Sequence, residues 1–503
     1  MSYNFYKGED IISDCSSTHI QFFEINQSSL MFMGMSCTVR VVDQCQIALP
    51  SDSVSTTSMP LTFFDLMWLA LPPVHRIFFY EMDHSKTQFT KTIIPNLKHS
   101  LSLTLQQFFP LAGKLTWPKE STKPEIQYSN GDSVVLTVAV SDYNFDSLLC
   151  NHAKSVNDFY PLVPQLCNTA SSKVFPLLAL QVTSFPNKGI CIGITLDHVV
   201  ADGRTFHHFI KSWASTSRLE GKNSTMSESL PCYNRSVVKD PNGMDMVFLN
   251  HYKKLNITKE SFNITKDPMA PMDKVLATFV LSHANIKRIK QWILIRLDDG
   301  KERKPPFHLS TFVLTCAYVW VCSIKARWGD VVGSGSEDPI EYFLFPMDCR
   351  ARLEPVLPNT YFGNCLKSCL IKTKRSDLAG ETGIAIAAEL IAKVIQKKVE
   401  EDGILKDMET LFSSDFSSAP DRILSVAGST KLYIYKTDFG WGNPKKSEVI
   451  SIANTGAILL SECPSEIGAV EVGLVRNKSE MEKFASFFTK TVEGFPPTKD
   501  DNC

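Results

Sequence analysis

One stretch of this chain, Leu177 to Trp213, restricts the fold more than any other. The segments LLALQVTSF and ICIGITL alternate apolar and polar residues on either side of Pro186-Asn187-Lys188-Gly189, the pattern of a β-hairpin. In the second segment Ile190, Ile192, Ile194 and Leu196 fall on one face of the strand. Phe206, Phe209, Ile210 and Trp213 then recur at helical steps, so a helix follows the hairpin almost at once. Strands and helices are expected to be mixed through the chain.

The remaining pattern agrees. Ile94, Leu97, Leu101, Leu105 and Phe108 predict an amphipathic helix. Ser310 is placed to cap an apolar helix through TFVLTCAYVWVCSIKAR, and a second helix starts near Thr382. Met481, Phe484, Phe488 and Val492 mark a closing helix that stops at Gly494. From Leu219 to about Asp267 the chain turns polar and rich in Gly, Asn, Ser, Pro and Lys, which reads as a linker between two domains. The expected organisation is a poorly ordered extension over 1–35, an N-terminal domain over 36–218, a crossover over 219–267 and a C-terminal domain over 268–503. A chain of 503 residues is long enough for two such domains.

Charge narrows the partners. Lys and Arg number 52 and Asp and Glu 53, a net charge of -1, so no global field recruits nucleic acid or an anionic membrane. A small molecule is the partner expected. No segment approaches the roughly 18 uninterrupted apolar residues of a membrane span, and the first residues lack the basic and apolar regions of a secretory signal. The expectation is a monomer in the cytoplasm, in the reduced cytosol and away from membranes. The 14 cysteines are scattered, and the close pairs Cys365/Cys369 and Cys316/Cys322 lack the partners of a zinc site. His207 and His208 point about 100° apart on the predicted helix and no further ligand completes them, so no metal is expected.

His198 lies where the second strand gives way to the helix, in LDHVVADGRTF, and connections of this kind display catalytic side chains. Imidazole can take the proton from an attacking hydroxyl and return it to a leaving group near neutral pH. An aspartate four residues after a histidine arises easily by chance among 11 histidines, so His198 and Asp202 alone are a weak motif. The strand before His198 and Gly203 after Asp202 strengthen it.

HVVADG at His198–Gly203 and DFGWG at Asp438–Gly442, far apart and in this order, resemble the two signature motifs of the plant BAHD acyltransferases. FFPLAGKL at Phe108–Leu115 and DCRAR at Asp348–Arg352 look like further segments of that family, and the resemblance runs from about Ser36 to Gly494. It implies the α/β class, with two chloramphenicol-acetyltransferase-like domains whose mixed β-sheets are flanked by helices, and a channel between them. His198 would be the general base at its middle, with CoA entering from one face and the acceptor from the other. Asp202, the second residue of the catalytic motif, would turn away and pair with either Arg350 or Arg352. Asp438, Gly440 and Gly442 would form a structural loop, with Trp441 a candidate donor to the developing oxyanion. YFGNC at Tyr361–Cys365 and LSTFVLTCAYVW at Leu309–Trp320 resemble the clade that acylates sugars of phenolic, flavonoid and anthocyanin glucosides, commonly from malonyl-CoA. That resemblance places Asn364 among the substrate-binding residues.

Malonyl carries a carboxylate, and Arg204, directly after the Asp-Gly turn, is the candidate cation for it; a solvent-facing arginine is the alternative. For the CoA phosphates, charge points to the helix after Ser282, with Lys287, Arg288 and Lys290, against the alternative of a solvated helix face. No permanently bound cofactor is implied, since acyl-CoA is a co-substrate. Three other readings stay open. One is an acyltransferase of the same fold using hydroxycinnamoyl- or acetyl-CoA. Another is a non-catalytic, metabolite-binding member, against which intact His198, Asp202 and DFGWG count. The last is the condensation domain of a peptide synthetase, against which Asp197 counts, because it stands where a tandem histidine is usual.

Overall fold

Three sheets organise the computed structural model, which describes residues 37–166, 174–220, 230–262, 273–297, 307–329, 338–400, 405, 408 and 420–495. The extension expected over 1–35 and parts of the crossover lie outside the described residues. The first sheet has six strands in the order Val39–Ala48, Ser133–Ser141, Leu178–Phe185, Gly189–Leu196, Val74–Glu81, Lys446–Val449. Ser133–Ser141 runs parallel to Leu178–Phe185 and the other neighbours are antiparallel. The second has seven, in the order Leu366–Lys374, Ile340–Asp348, Ile423–Gly428, Ile458–Glu462, Val470–Asn477, Lys274–Leu281, Lys154–Ser155. It is mixed as well, with Ile423–Gly428 parallel to both of its neighbours. A four-stranded sheet, Thr57–Pro60, Glu125–Tyr128, Lys114–Thr116 and Phe175–Pro176, completes the set.

Each large sheet takes one edge strand from the other half of the chain. Lys446–Val449 closes the first sheet although its sequence, KSEV, shows no strand pattern, and its residues are buried. Polar pairing makes that burial tolerable. Lys446 Nζ lies 3.2 Å from Glu448, Thr278 donates to Glu448 at 2.7 Å, and Arg76 donates to Ser447 at 3.1 Å.

The hairpin forms where the alternation placed it. Lys188 N–H closes the turn on the Phe185 carbonyl at 3.0 Å, and Asn187 takes the left-handed conformation that asparagine tolerates, at φ 59°. Both faces of its strands are buried. Ile190, Ile192, Ile194 and Leu196 join the main core. On the other face Gln181 donates to the Pro161 carbonyl at 2.8 Å and Thr195 to that of Pro164, so their polar atoms are satisfied without water. A side chain at Gly193 would meet the Leu162 carbonyl oxygen at 1.9 Å.

Helix Gly203–Arg218 packs on Ile94–Gln107, where Trp213 Nε1 donates to the Leu97 carbonyl at 3.2 Å. Ser310 caps Thr311–Trp328 through the Val313 N–H at 3.3 Å, and Met481, Phe484, Phe488 and Val492 are the buried face of Lys478–Glu493. The crossover carries a helix, Met244–Lys254, with Met244, Phe248 and Tyr252 buried. Its Tyr252 hydroxyl donates to the Leu66 carbonyl at 2.7 Å, tying the crossover to the turn Phe63–Leu66. Among the described residues no helix is long and apolar enough to cross a membrane.

Candidate active site

Strand Gly189–Leu196 ends two residues before His198, and the connection is tied at once: Asp197 N–H donates to Leu177 at 2.8 Å and Asp197 Oδ1 accepts from Val199 N–H at 3.0 Å. Asp202 then caps the helix, its Oδ1 accepting from Thr205 N–H at 3.0 Å. Its other oxygen takes Arg350 Nη1 at 2.7 Å and Cys365 N–H at 3.1 Å. Burial alone would raise the Asp202 carboxyl, but Arg350 and the two backbone donors outweigh it and hold it below the usual carboxylate range.

Arg350, 1% exposed, is the arginine that meets Asp202; Arg352 is exposed and donates to the Asp348 carbonyl at 2.5 Å. Arg350 also donates to the carbonyl of Gly363 at 3.1 Å and of Tyr361 at 3.3 Å, so one guanidinium joins the histidine loop to YFGNC. Within YFGNC, Asn364 is fully buried. Its Nδ2 donates to the carbonyl oxygens of His198 at 2.9 Å and Val199 at 3.1 Å, and to Asp65 Oδ1 at 3.1 Å. Asn364 therefore grips the backbone of the histidine.

The His198 ring lies flat on Trp68, with centroids 3.7 Å apart and planes 7° from parallel. Its Nδ1 is buried, and the ring's polar neighbours are the backbone of His198 itself and the side chain of Asn364. Burial lowers the His198 pKa, and nearby acceptors and carboxylates, Asp202 and Asp197 among them, offset only part of that. The imidazole is thus neutral at neutral pH and able to receive a proton.

Arg204, in the first turn of the helix, donates through Nε to Asp348 at 2.8 Å and is about one-third exposed. In the DFGWG loop Asp438 accepts from the N–H groups of Gly440 and Gly442, at 2.8 and 2.9 Å. Trp441 packs edge-on to Tyr80, centroids 5.5 Å apart, and stacks on Phe439, and the indole lying on His198 is that of Trp68. Ser282 caps helix His283–Leu297 by accepting from Asn285 N–H at 3.0 Å. Lys287 is exposed and Arg288 half-buried on that helix, which packs on Thr311–Trp328, Gly383–Glu400 and Lys478–Glu493.

The structure brings together His198, Asp202, Arg350, Asn364 and Arg204, and adds Trp68, Asp65 and Arg235, which sequence reasoning missed. Asp65 accepts from Thr62, from both nitrogens of Asn364 and from Arg235. FFDLMW reads only as a buried apolar segment, and no local signal ties it to a histidine 130 residues on.

Residues 39–491 match the Transferase family. Phenolic glucoside malonyltransferase 1 of Nicotiana tabacum is 40% identical over 89% of this chain and 98% of that one. Coumaroyl-CoA:anthocyanidin 3-O-glucoside-6''-O-coumaroyltransferase 2 of Arabidopsis thaliana is 36% identical over 90% of this chain and 98% of that one. Among solved structures, vinorine synthase superposes with a TM-score of 0.64 at 19% identity, covering 89% of this chain and 96% of that one, a likeness of fold.

Proposed function

The chain belongs to the Transferase family, and on that premise we propose that it moves a malonyl group from malonyl-CoA to a sugar hydroxyl of a phenolic glucoside. The observation that carries the reading is the state of His198, a buried imidazole that burial holds neutral at neutral pH, at the head of a loop held by Arg350 and Asn364. Nε2 takes the proton as the sugar oxygen attacks the thioester carbonyl carbon. The C–S bond then breaks, and the imidazolium returns the proton to the departing thiolate, so free CoA leaves and the base is restored. Asp202 does not take part in that transfer. It is occupied by Arg350 and holds the loop.

In this reading the enzyme is a cytosolic monomer acting on two small molecules. Its halves, 36–218 and 268–503, both build the site: the first supplies His198 and Asp202, the second Arg350 and Asn364.

A second donor is favoured by one observation. Arg204 has Asp348 as its partner, so an acyl carboxylate would have to share the guanidinium. Equal malonyl-, acetyl- and coumaroyl-CoA offered together with a panel of phenolic glucosides, with product masses read, separates the donors. Malonylated glucoside as the main product supports the proposal, and coumaroyl or acetyl adducts overturn it while leaving His198 in place. Arg204→Ala raising KM for malonyl-CoA far more than for acetyl-CoA would assign the carboxylate contact; equal effects would remove it.

A further inference from the structure

The ring under His198 has a property that its fold does not explain. Trp68 Nε1 is buried and has no hydrogen-bond partner, although a buried indole N–H ordinarily finds one. Nothing in the packing therefore asks for an indole donor at this position. What the site uses is the flat face, 3.7 Å from the imidazole and within 7° of parallel.

That face is rigidly mounted. Trp68 follows the turn Phe63–Leu66, in which Phe63, Phe64 and Leu66 are at most 1% exposed, and its N–H donates to the Asp65 carbonyl at 3.0 Å. Thr62 closes the turn on Asp65 through its N–H at 2.9 Å and its hydroxyl at 2.8 Å. The same Asp65 receives Asn364 N–H at 3.0 Å and Nδ2 at 3.1 Å, and Asn364 holds the His198 carbonyl. One turn of chain thus fixes the histidine twice, its backbone through Asp65 and Asn364 and its ring through Trp68.

Resting on the reading of His198 as the base, we propose that Trp68 is a positioning residue of the reaction, whose indole face sets the plane of the imidazole and aims Nε2 at the acceptor hydroxyl. The stack on Trp68 is the ring contact that opposes rotation of the imidazole about its χ2, alongside the polar contact with the Asn364 side chain. Misplacing a reacting group by about 1 Å can lower a rate about 10²-fold. The face also excludes water from one side of the ring. The charged groups around the imidazole are Asp197, Asp202 with its partner Arg350 and, on the turn of Trp68, Asp65 with Arg235.

The test compares Trp68→Phe, Trp68→Leu and His198→Ala in the full chain, using whichever acyl-CoA the wild type turns over, so that failure of the malonyl reading leaves it intact. His198→Ala retaining activity would refute the base itself, a separate result. The expected outcome is that Trp68→Phe keeps kcat within about fivefold, while Trp68→Leu loses about 10²-fold in kcat with KM for acyl-CoA unchanged. The acid limb of kcat/KM should move to higher pH in Trp68→Leu, because water reaches the ring. Three results would overturn the proposal: Trp68→Leu keeping kcat, Trp68→Phe falling as far as Trp68→Leu, or a loss confined to KM for the acceptor. Should Trp68→Leu fail to fold, Trp68→Met takes its place with the same expected loss and the same overturning result; Trp68→Phe keeps a flat aromatic face, smaller than the indole and without its N–H.

Discussion

His198–Gly203 and Asp438–Gly442 are both short loops ending in glycine, and they are held in opposite ways. The first is held from far along the chain: Arg350 binds Asp202 at 2.7 Å and Asn364 binds the His198 carbonyl at 2.9 Å. The second is closed mainly on itself, with Asp438 accepting from the N–H groups of its own Gly440 and Gly442, which sit at φ 101° and 87°, and its remote contacts are longer: Ser217 donates to the Phe439 carbonyl at 3.4 Å and Arg218 lies 3.9 Å from Asp438. A loop fixed by remote side chains leaves the residue at its head free of structural duties, so that residue can do chemistry. A loop closed on its own backbone needs glycine and an acceptor, and Phe439 in it serves packing, its ring centroid 4.9 Å from that of Trp213 and 5.7 Å from that of Tyr80.

The comparison breaks most sharply at His198. His198→Ala should lower kcat by roughly 10² to 10⁴-fold, with the melting temperature little changed, because Asn364 holds the loop through the His198 carbonyl, which alanine keeps. A large loss of thermal stability would place the histidine among the structural residues of its loop. In the wild type the acid limb of kcat/KM should lie below the ordinary imidazole value of about 6.5, since burial disfavours the imidazolium and the base stays unprotonated to lower pH.

Next comes Asp202. Removing one partner of a buried ion pair costs about 3–5 kcal/mol, so Asp202→Ala should lower stability and activity together, leaving Arg350 unpaired in a site where it is 1% exposed. Acid should act on the same pair. The Asp202 carboxyl is depressed in the folded state, so its contribution is complete above about pH 4, the unfolded value, and disappears as pH falls through the lower folded value. Unchanged urea or thermal unfolding in Asp202→Ala would show that the loop does not rely on remote charges.

In the self-closing loop the corresponding change is smaller. Gly442→Ala meets no atom within 4 Å, so the effect is that of the left-handed backbone alone, about 1–2 kcal/mol, with kcat little altered. A kcat loss as large as that of His198→Ala would place DFGWG at the chemistry.

Much of this was legible in the chain. The hairpin, the helix after Asp202 and the Ser310 cap follow from period and capping chemistry, which are local. Remote partners are not local. The choice between Arg350 and Arg352 needed the structure, because both lie in one short turn and only one can face inward. Trp68 and Asp65 were invisible because FFDLMW reads as apolar filler and its bonds are made to residues 130 and 299 positions away. The strand KSEV was hidden for another reason: it is buried by pairing charges, which leave no apolar alternation to read.

The smallest expected effect separates the two arginines. Arg352 is exposed and makes a single bond to a backbone carbonyl, so Arg352→Ala should change unfolding free energy by no more than about 0.5 kcal/mol and leave turnover alone. Arg350→Ala, two residues away, should resemble Asp202→Ala, because it strands a buried carboxylate along with the carbonyl groups of Tyr361 and Gly363. If both substitutions together with Asp202→Ala cost no more than Asp202→Ala and Arg352→Ala combined, Arg350 and Asp202 act as one unit and Arg352 outside it. Equal effects of the two single arginine changes would mean that the loop is held by net positive charge near the turn, and the contrast with DFGWG would then rest on Asn364 alone.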